Sequence, residues 1–349
     1  MNGIKVSVLV PIYNVRDYLE QCLDSLEAQT MKDIEFICIN DGSTDGSDKI
    51  IQKYIEKDPR FKILSKENSG YGDSMNKGLD IAQGKYIGIL ESDDFTEPSM
   101  YATLYEKAER EQADIVRSRY WLYWDNGRNV EFDDWGAGVF DKTIKPADYP
   151  ELIDMVCSIW SAIYRKDFLD KNDIRFLPTP GASYQDISFF CKTMMMAERM
   201  FFIKDRFIHY RQGRVGQSVR DHHINKALLK FDEYDECERY INDGHHVGNA
   251  ILNRLRHREI NSVVNVCFSV IEHDEYMEYA RRYLGKIKEK GDYDSERLSF
   301  YERRFMQSDG NVIYMNALVL LWRVMHSFRH AYWLKRLPGV MLIKRKIFG

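Results

Sequence analysis

From residue 5 to residue 91 the chain alternates between two hydrophobic patterns. Short, continuous, β-branched runs occupy 5–13, 34–41, 61–68 and 85–91. Runs of this kind read as strands buried on both faces. Between them lie segments with apolar residues at helical spacing. Leu19, Leu23 and Leu26 mark a helix over 16–30, and Ile51, Tyr54 and Ile55 mark one over 47–58. A third helix is expected over 72–84, ended by Gly84. Pro11 is expected to stop the first strand. Strand and helix in strict alternation predict a parallel α/β sheet.

Such sheets bind ligands beyond the carboxyl ends of their strands. Polar, chemistry-bearing residues should therefore follow the strands, and they do. Pro11, Tyr13 and Asn14 follow the first, and Asp41 to Asp45 the second. Asn68, Ser69 and Gly70 follow the third, and Glu91, Ser92, Asp93 and Asp94 the fourth.

Beyond residue 100 the pattern loosens. A helix running into a short strand is expected over 99–116, a turn-rich stretch over 125–138, and partly helical chain over 146–170, where "SAIYR" can form a strand. A helix is expected over 187–200 and a short hairpin over 201–211. From about residue 222 the chain reads as helix almost throughout, without internal repeats. After Asp309 it holds no acid. Arg323, Arg329, Lys335, Arg336, Lys344, Arg345 and Lys346 alternate there with Trp322, Phe328, Tyr332, Trp333 and Phe348. Basic and aromatic residues together suit an anionic membrane surface; a helix packed on the main domain with a solvated basic face is the plainer alternative.

Composition narrows the classes. With 44% apolar residues the chain can bury a large core, and a net charge of −4 argues against a nucleic-acid partner. The six cysteines are scattered without a CxxC pair, so they are expected as reduced core residues, as in the cytoplasm. The amino terminus lacks the pattern of a signal peptide, and no run is apolar and long enough for a confident transmembrane helix.

The crowding of Glu91, Asp93 and Asp94 at a strand end needs a physical reason. Like charges held together raise one another's pKa or require a counter-ion. Oxygen ligands of this type suit Mg²⁺ or Mn²⁺, which bind substrate phosphates as well. An acidic turn capping the next helix is the competing reading. In "NDGSTDGS", Asp41 ends a strand where it can accept a bond from a base imide N–H. Asx-turn geometry and a helix cap at Asp45 or Ser47 explain the same residues locally. "ENSGYGDSMNKG" is rich in glycine and can approach a nucleotide closely. Neither GxxxxGK[ST] nor GxGxxG is present, so neither a P-loop nor a dinucleotide fingerprint is implied.

Taken in order, "VSVLVPIYN", "CLDSLEAQT", "FICINDGSTDGS" and "ENSGYGDSMNKGLDIAQGKYIGILESDDF" resemble family 2 glycosyltransferases of the GT-A fold. The resemblance is strong over 4–100 and continues more weakly to about 220. It implies a Rossmann-like, mostly parallel sheet flanked by helices, with a mainly helical carboxyl-terminal region. It also implies inverting transfer of a sugar from a nucleotide diphosphate, usually UDP-linked, with Mg²⁺ or Mn²⁺. On it, Pro11 and Tyr13 match the first nucleotide contacts and Asp41 the acid that reads the uracil edge. Asn68 and Gly70 fall in the donor loop. Glu91, Ser92 and Asp93 stand at the family's DxD, with Asp93 the expected metal ligand. Glu91 replaces the usual Asp, and Asp94 is a donor-side contact. Met75 stands where many relatives place Arg.

"GASYQDISFF" resembles the family's Glu-Asp segment, with Gln185 in place of Glu, which makes Asp186 the expected general base. A plain helix-start acid is the alternative for Asp186. "HYRQGRVGQSVR" resembles a loop that closes on the diphosphate, through Arg211, Arg214, Gln217 and Ser218. His209 is expected to be structural, and Trp160 either lines the acceptor site or packs in the core. The implied acceptor is a surface-polysaccharide or lipid-linked hydroxyl, met at the inner face of the cell membrane. The expected division is a glycosyltransferase domain over 1–220, with donor and acceptor halves meeting near 100, and a helical region over 221–349 through which the chain can also oligomerise. A nucleotidyltransferase or a non-catalytic nucleotide-sugar-binding protein are the alternatives.

Overall fold

The computed structural model describes residues 3–132, 138–214, 224–268, 273–291, 293–308, 311 and 315–319. These divide into two compact units, one drawn from 1–221 with 229–251, the other from 222–228 with 252–349. The first is built on a mixed sheet whose strands run β3-β2-β1-β4-β9-β6-β10-β5, with β7 on β6 and β8 on β10. The strands are β1 (Val6–Ile12), β2 (Ile34–Asn40), β3 (Phe61–Ser65), β4 (Tyr86–Ile89), β5 (Phe95–Thr96), β6 (Ile115–Tyr123), β7 (Asn129–Phe132), β8 (Thr143–Ile144), β9 (Ala162–Arg165) and β10 (Met200–Arg211).

β1 to β4 pair in parallel, and every residue of β1 and β2 is buried. That double burial is why they read as continuous apolar runs. Helices α1 (Arg16–Glu27), α2 (Ser47–Lys57) and α3 (Tyr71–Ile81) make the crossovers. Helix α1 buries Leu19, Cys22, Leu23 and Leu26, at the spacing that marked it. Helix α4 (Met100–Glu111) precedes β6, and α5 (Lys166–Lys171) follows β9. Helix α6 (Gln185–Met196) leads into β10.

Two local expectations are corrected. β1 continues through Pro11, which pairs with Ile39 of β2. Its ladder to β4 ends at Leu9–Ile89, with the Leu90 N–H donating to Leu9 O. Pro11 lies beyond that end, so its missing N–H leaves no bond unmade. Residues 201–211 form no hairpin. They belong to the single strand β10, parallel to β6 and antiparallel to β5 and β8. The polar Lys204, Asp205 and Arg206 fall where the register shifts. A bulge takes up polar residues without reversing the chain.

Strand β9 lies antiparallel between β4 and β6 and joins the first four strands to the rest of the sheet. All six cysteines are buried, and none is in a disulfide. The remaining helices are α7 (Ile224–Asn242), α8 (Asn249–Cys267), α9 (His273–Lys290) and α10 (Phe300–Gln307). In the second unit, Glu259 accepts from Tyr283 and pairs with Arg256, and a Ser299–Glu302 capping box starts α10. Among the described residues no helix is long and apolar enough to cross a membrane. The tail from residue 320 onward, including its basic and aromatic residues, lies outside the described residues.

Candidate active site

The loops after β1, β2, β3 and β4 meet at one end of the sheet, as parallel topology requires. Asn14, in a left-handed conformation with φ 49°, accepts the Thr44 N–H at 2.8 Å and ties the first two loops together. Asp45 accepts the Arg16 N–H at 2.8 Å and the Ser47 N–H at 3.0 Å, so it bridges those loops and caps α2. Tyr13 projects from this end with 53% of its surface exposed, whereas Pro11 is buried in the strand.

Asp41 is buried and faces inward. Its carboxylate accepts the Ser69 N–H at 2.9 Å and the Gly70 N–H at 3.0 Å, and it pairs with Lys66. It therefore shapes the loop that carries Asn68, whose side chain is exposed. Gly70 has φ +97°, and a Cβ there would lie 2.7 Å from Thr179 O. Only glycine allows this approach. The contact seats the loop after β3 against the segment leading into α6. Tyr71 N–H donates to Gly181 O at 2.8 Å, and Asn76 exchanges two 2.9 Å hydrogen bonds with the Phe176 backbone.

The acids after β4 have distinct environments. Glu91 accepts the Tyr71 hydroxyl at 2.7 Å. Burial pushes its pKa up to about 8; the Tyr71 bond opposes that, and the Asp93 and Asp186 charges add to it. Ser92 is buried. Asp93 forms an ion pair with Arg214 at 2.7 Å. Asp94 is 1% exposed, accepts the Arg211 N–H at 2.8 Å through Oδ1, and leaves Oδ2 with no hydrogen-bond partner. Burial, then the Asp93 charge, push its pKa well above the usual carboxylate range. An acid cluster left in this state is short of positive charge.

Arg211 does not face outward toward a phosphate. It is 3% exposed, its Nε donates to Asp93 O at 2.8 Å, and its guanidinium engages Gln21 and Asp125 between the rings of Tyr18 and Tyr123. Arg211 holds the acidic loop, and Arg214 is the guanidinium on its acids. Gln217 and Ser218 lie outside the described residues. Met75 is fully buried, so that position of α3 brings core packing instead of a cation.

Asp186 stands in the first turn of α6, after Tyr184 in a left-handed conformation with φ 70°. Gln185 is buried; its amide donates to Thr179 Oγ1 at 2.9 Å and accepts the Ser183 N–H at 2.6 Å, which fixes the loop before the helix. The Asp186 charge acts on Glu91, Tyr71 and Tyr210, which places the acid with the cluster after β4. Tyr210 stacks on Trp160 at 5.0 Å, and Tyr120 meets Trp160 edge-on at 4.7 Å. Burial first, then the charges of Asp94 and Asp93, push the Tyr210 hydroxyl's pKa up. His209 sits in β10, bonded to Glu97 at 2.9 Å and stacked on Phe95. It is a packing residue.

The family model "Glycosyl transferase family 2" matches residues 7–172. An uncharacterized glycosyltransferase of Escherichia coli, YibD, is 30% identical over 246 residues, covering 64% of this chain and 70% of that protein. The chain belongs to glycosyltransferase family 2. Membership makes this protein a glycosyltransferase and displaces the nucleotidyltransferase and non-catalytic alternatives. Two solved structures share the fold. Staphylococcus aureus TarS 1–349 in complex with UDP-GlcNAc aligns with a TM-score of 0.74 at 19% identity, over 91% of each chain. The mannosyltransferase PcManGT of Pyrobaculum calidifontis, in complex with GDP-Man and Mn²⁺, aligns at 0.52 and 16% identity, over 92% of this chain and 88% of that one. The sheet described above is therefore the GT-A sheet.

In this glycosyltransferase no three His, Cys, Asp or Glu side chains among the described residues are arranged to hold a metal by themselves. Glu91 turns to Tyr71 and Asp94 to Arg211, which leaves Asp93 as the carboxylate facing a cation. Mg²⁺ and Mn²⁺ accept that arrangement, because they bind through one or two carboxylates and complete their shell with water and substrate phosphate. The unpartnered Oδ2 of Asp94 and the raised pKa values beside it fit a site short of one cation. Sequence reasoning singled out Trp160 but missed the Tyr71 hydroxyl and the Tyr210 ring that stacks on Trp160. A Glu in place of the usual Asp was the available signal for the first, since its extra methylene reaches Tyr71. No local signal marks Tyr210.

Proposed function

We propose that this glycosyltransferase moves a sugar from a UDP-sugar to a hydroxyl of a surface-polysaccharide or lipid-linked acceptor, with inversion at the anomeric carbon. The observation that carries the reading is the Arg214–Asp93 ion pair over a buried, charge-deficient acid cluster at the carboxyl end of β4. A guanidinium already occupies the place that a cation and a diphosphate would share.

In this reading Tyr13 offers an exposed ring to the base, and the loop held by Asp41 closes on the nucleoside. Asp93 would hold the divalent cation, Mn²⁺ or Mg²⁺, whose charge would stabilise the departing diphosphate. Arg214 swings from Asp93 to the phosphate oxygens, exchanging one anionic partner for another as the cation takes its place at Asp93. The acceptor hydroxyl attacks the anomeric carbon from the face opposite the diphosphate. Its proton passes to Asp186, the new C–O bond forms, and the bond to the diphosphate breaks with its electrons leaving on oxygen. The Trp160–Tyr210 wall shapes the acceptor side. The UDP-GlcNAc and GDP-Man named in the two neighbours' structures support a nucleotide sugar and leave UDP favoured by the higher structural similarity.

The donor half is assigned to 1–100, the acceptor half to 101–220 and the helical region to 221–349. The basic, aromatic composition of 311–349 supports recruitment to an anionic membrane on the cytoplasmic side. Loss of co-sedimentation with anionic vesicles on deleting 311–349 tests that role, and unchanged binding rejects it. The central test is UDP release from a panel of UDP-sugars, with GDP- and dTDP-sugars as controls, with and without Mn²⁺. Metal-dependent release that disappears in Asp93→Asn is expected. Release that ignores both the metal and the substitution would sink the metal-assisted reading.

A further inference from the structure

Glu233 lies on α7, outside every motif considered above, and is 1% exposed. Its Oε2 accepts the Ser188 N–H at 3.1 Å. Ser188 belongs to the first turn of α6, the turn that carries Asp186. Amides there have no partner within the helix, so a carboxylate reaching in from another helix satisfies one of them. The second oxygen, Oε1, is buried and has no hydrogen-bond partner of normal geometry among the described residues. The Ser188 side chain also acts on this carboxylate, so both of its hydrogen-bonding neighbours come from one residue, and a carboxylate buried with so few donors is costly unless its charge does something.

Cys237 of α7 lies within reach of the Glu233 charge. From α6 come Asp186, Ser188 and Lys192. Lys192 is shared with Glu236 and the Arg175 carbonyl, the latter at 3.1 Å, so its charge is only partly available. Burial pushes the Glu233 pKa up to about 7 and the Asp186 charge adds to it, while Ser188 and Lys192 oppose the rise. Two carboxylates at one helix start compete for the same positive end of the dipole.

We propose that Glu233 is a positioning residue for the general base: it fixes the first turn of α6 through Ser188, and its charge sets the basicity of Asp186. The inference rests on the reading of Asp186 as the base. With Glu233 ionised, Asp186 faces a second negative charge and holds the acceptor's proton more tightly. With Glu233 protonated, Asp186 is the weaker base.

Glu233→Gln keeps an oxygen for the Ser188 amide and removes the charge. In the full chain, the ¹⁵N–¹H resonance of Ser188 should titrate with an inflection near neutrality. That inflection should vanish in Glu233→Gln. UDP release from UDP-N-acetylglucosamine with Mn²⁺ should fall roughly threefold in kcat at about pH 8.5, match the parent at about pH 6, and keep its KM. A flat Ser188 resonance in the parent protein overturns the proposal without any variant. Superimposable pH profiles overturn it as well. Asp186→Asn separates the two readings: if it retains the parent kcat the base assignment fails, while the Ser188 titration still reports on Glu233.

Discussion

The two ends of one sheet hold buried carboxylates in opposite states. At the amino end Glu35 of β2 is 1% exposed. It accepts the Ser7 hydroxyl and the Gln83 N–H and pairs with Lys62. Burial disfavours its charge, but the Lys62, Ser7 and Gln83 bonds outweigh burial, and its pKa lies below the ordinary value. At the carboxyl end Glu91 and Asp94 are pushed the other way. Glu35 and Asp94 are equally hidden from solvent, so exposure alone does not decide the outcome; the donors each acid finds, set against how densely it is packed, do. One end is finished when the chain folds. The other keeps a deficit of positive charge that a substrate can fill.

The largest expected break in this contrast is Asp186→Asn. It should lower kcat by about 10²–10⁴-fold and leave donor affinity intact, as read by calorimetry beside the UDP-release assay. Equal losses in affinity and kcat would place Asp186 in donor binding instead. At the other end, Glu35→Gln should cost about 1–3 kcal/mol of stability in denaturant unfolding, with kcat per folded molecule unchanged. Because the folded pKa of Glu35 is depressed, its contribution is present above the unfolded value near 4.5 and is lost as pH falls through the folded one. The stability gap between parent and Glu35→Gln should therefore close on acidification below that value. A gap independent of pH would assign the effect to packing.

A smaller effect of opposite sign is expected at the carboxyl end. Asp94→Asn removes a carboxyl whose ionisation burial and like charges oppose, and its oxygen can still accept the Arg211 N–H. The unfolding midpoint without metal or donor should rise by about 2–4 °C while activity falls. A lower midpoint would mean that Asp94 is already balanced by Arg211. Finest of all is a double-mutant cycle of Tyr71→Phe and Glu91→Gln, with an expected coupling of about 0.5–1.5 kcal/mol in stability. A coupling near zero would leave the 2.7 Å contact without consequence.

Much of this was legible before the fold was known. The burial of β1 and β2 on both faces made their runs continuous, and the leucines of α1 kept helical spacing. Local period was enough there. It failed where long-range pairing decides. Pro11 is tolerated because β4 has already ended beside it, which no local pattern reports. β10 stays one strand because β6, β5 and β8 all pair with it. The acids of the site were legible as types at strand ends, but their states were not. Glu91 depends on Tyr71 and Asp94 on Arg211, and those partners are fixed only in three dimensions.

The seam between residues 70–76 and 176–181 bears on how such enzymes can be recombined. A Cβ at Gly72 would lie 2.0 Å from Leu177 O, and Asn76 grips the Phe176 backbone from both sides. A graft of a relative's chain joined after residue 172 would bring its own 176–181 segment against a recipient's 70–76. Unless that segment accommodates the glycines and the asparagine, the transplanted start of α6 would arrive on a loop that cannot seat. The inheritable module is thus discontinuous in the chain: the two segments must travel together, and new specificities are more readily acquired by changing the surfaces on either side of the seam than by cutting through it.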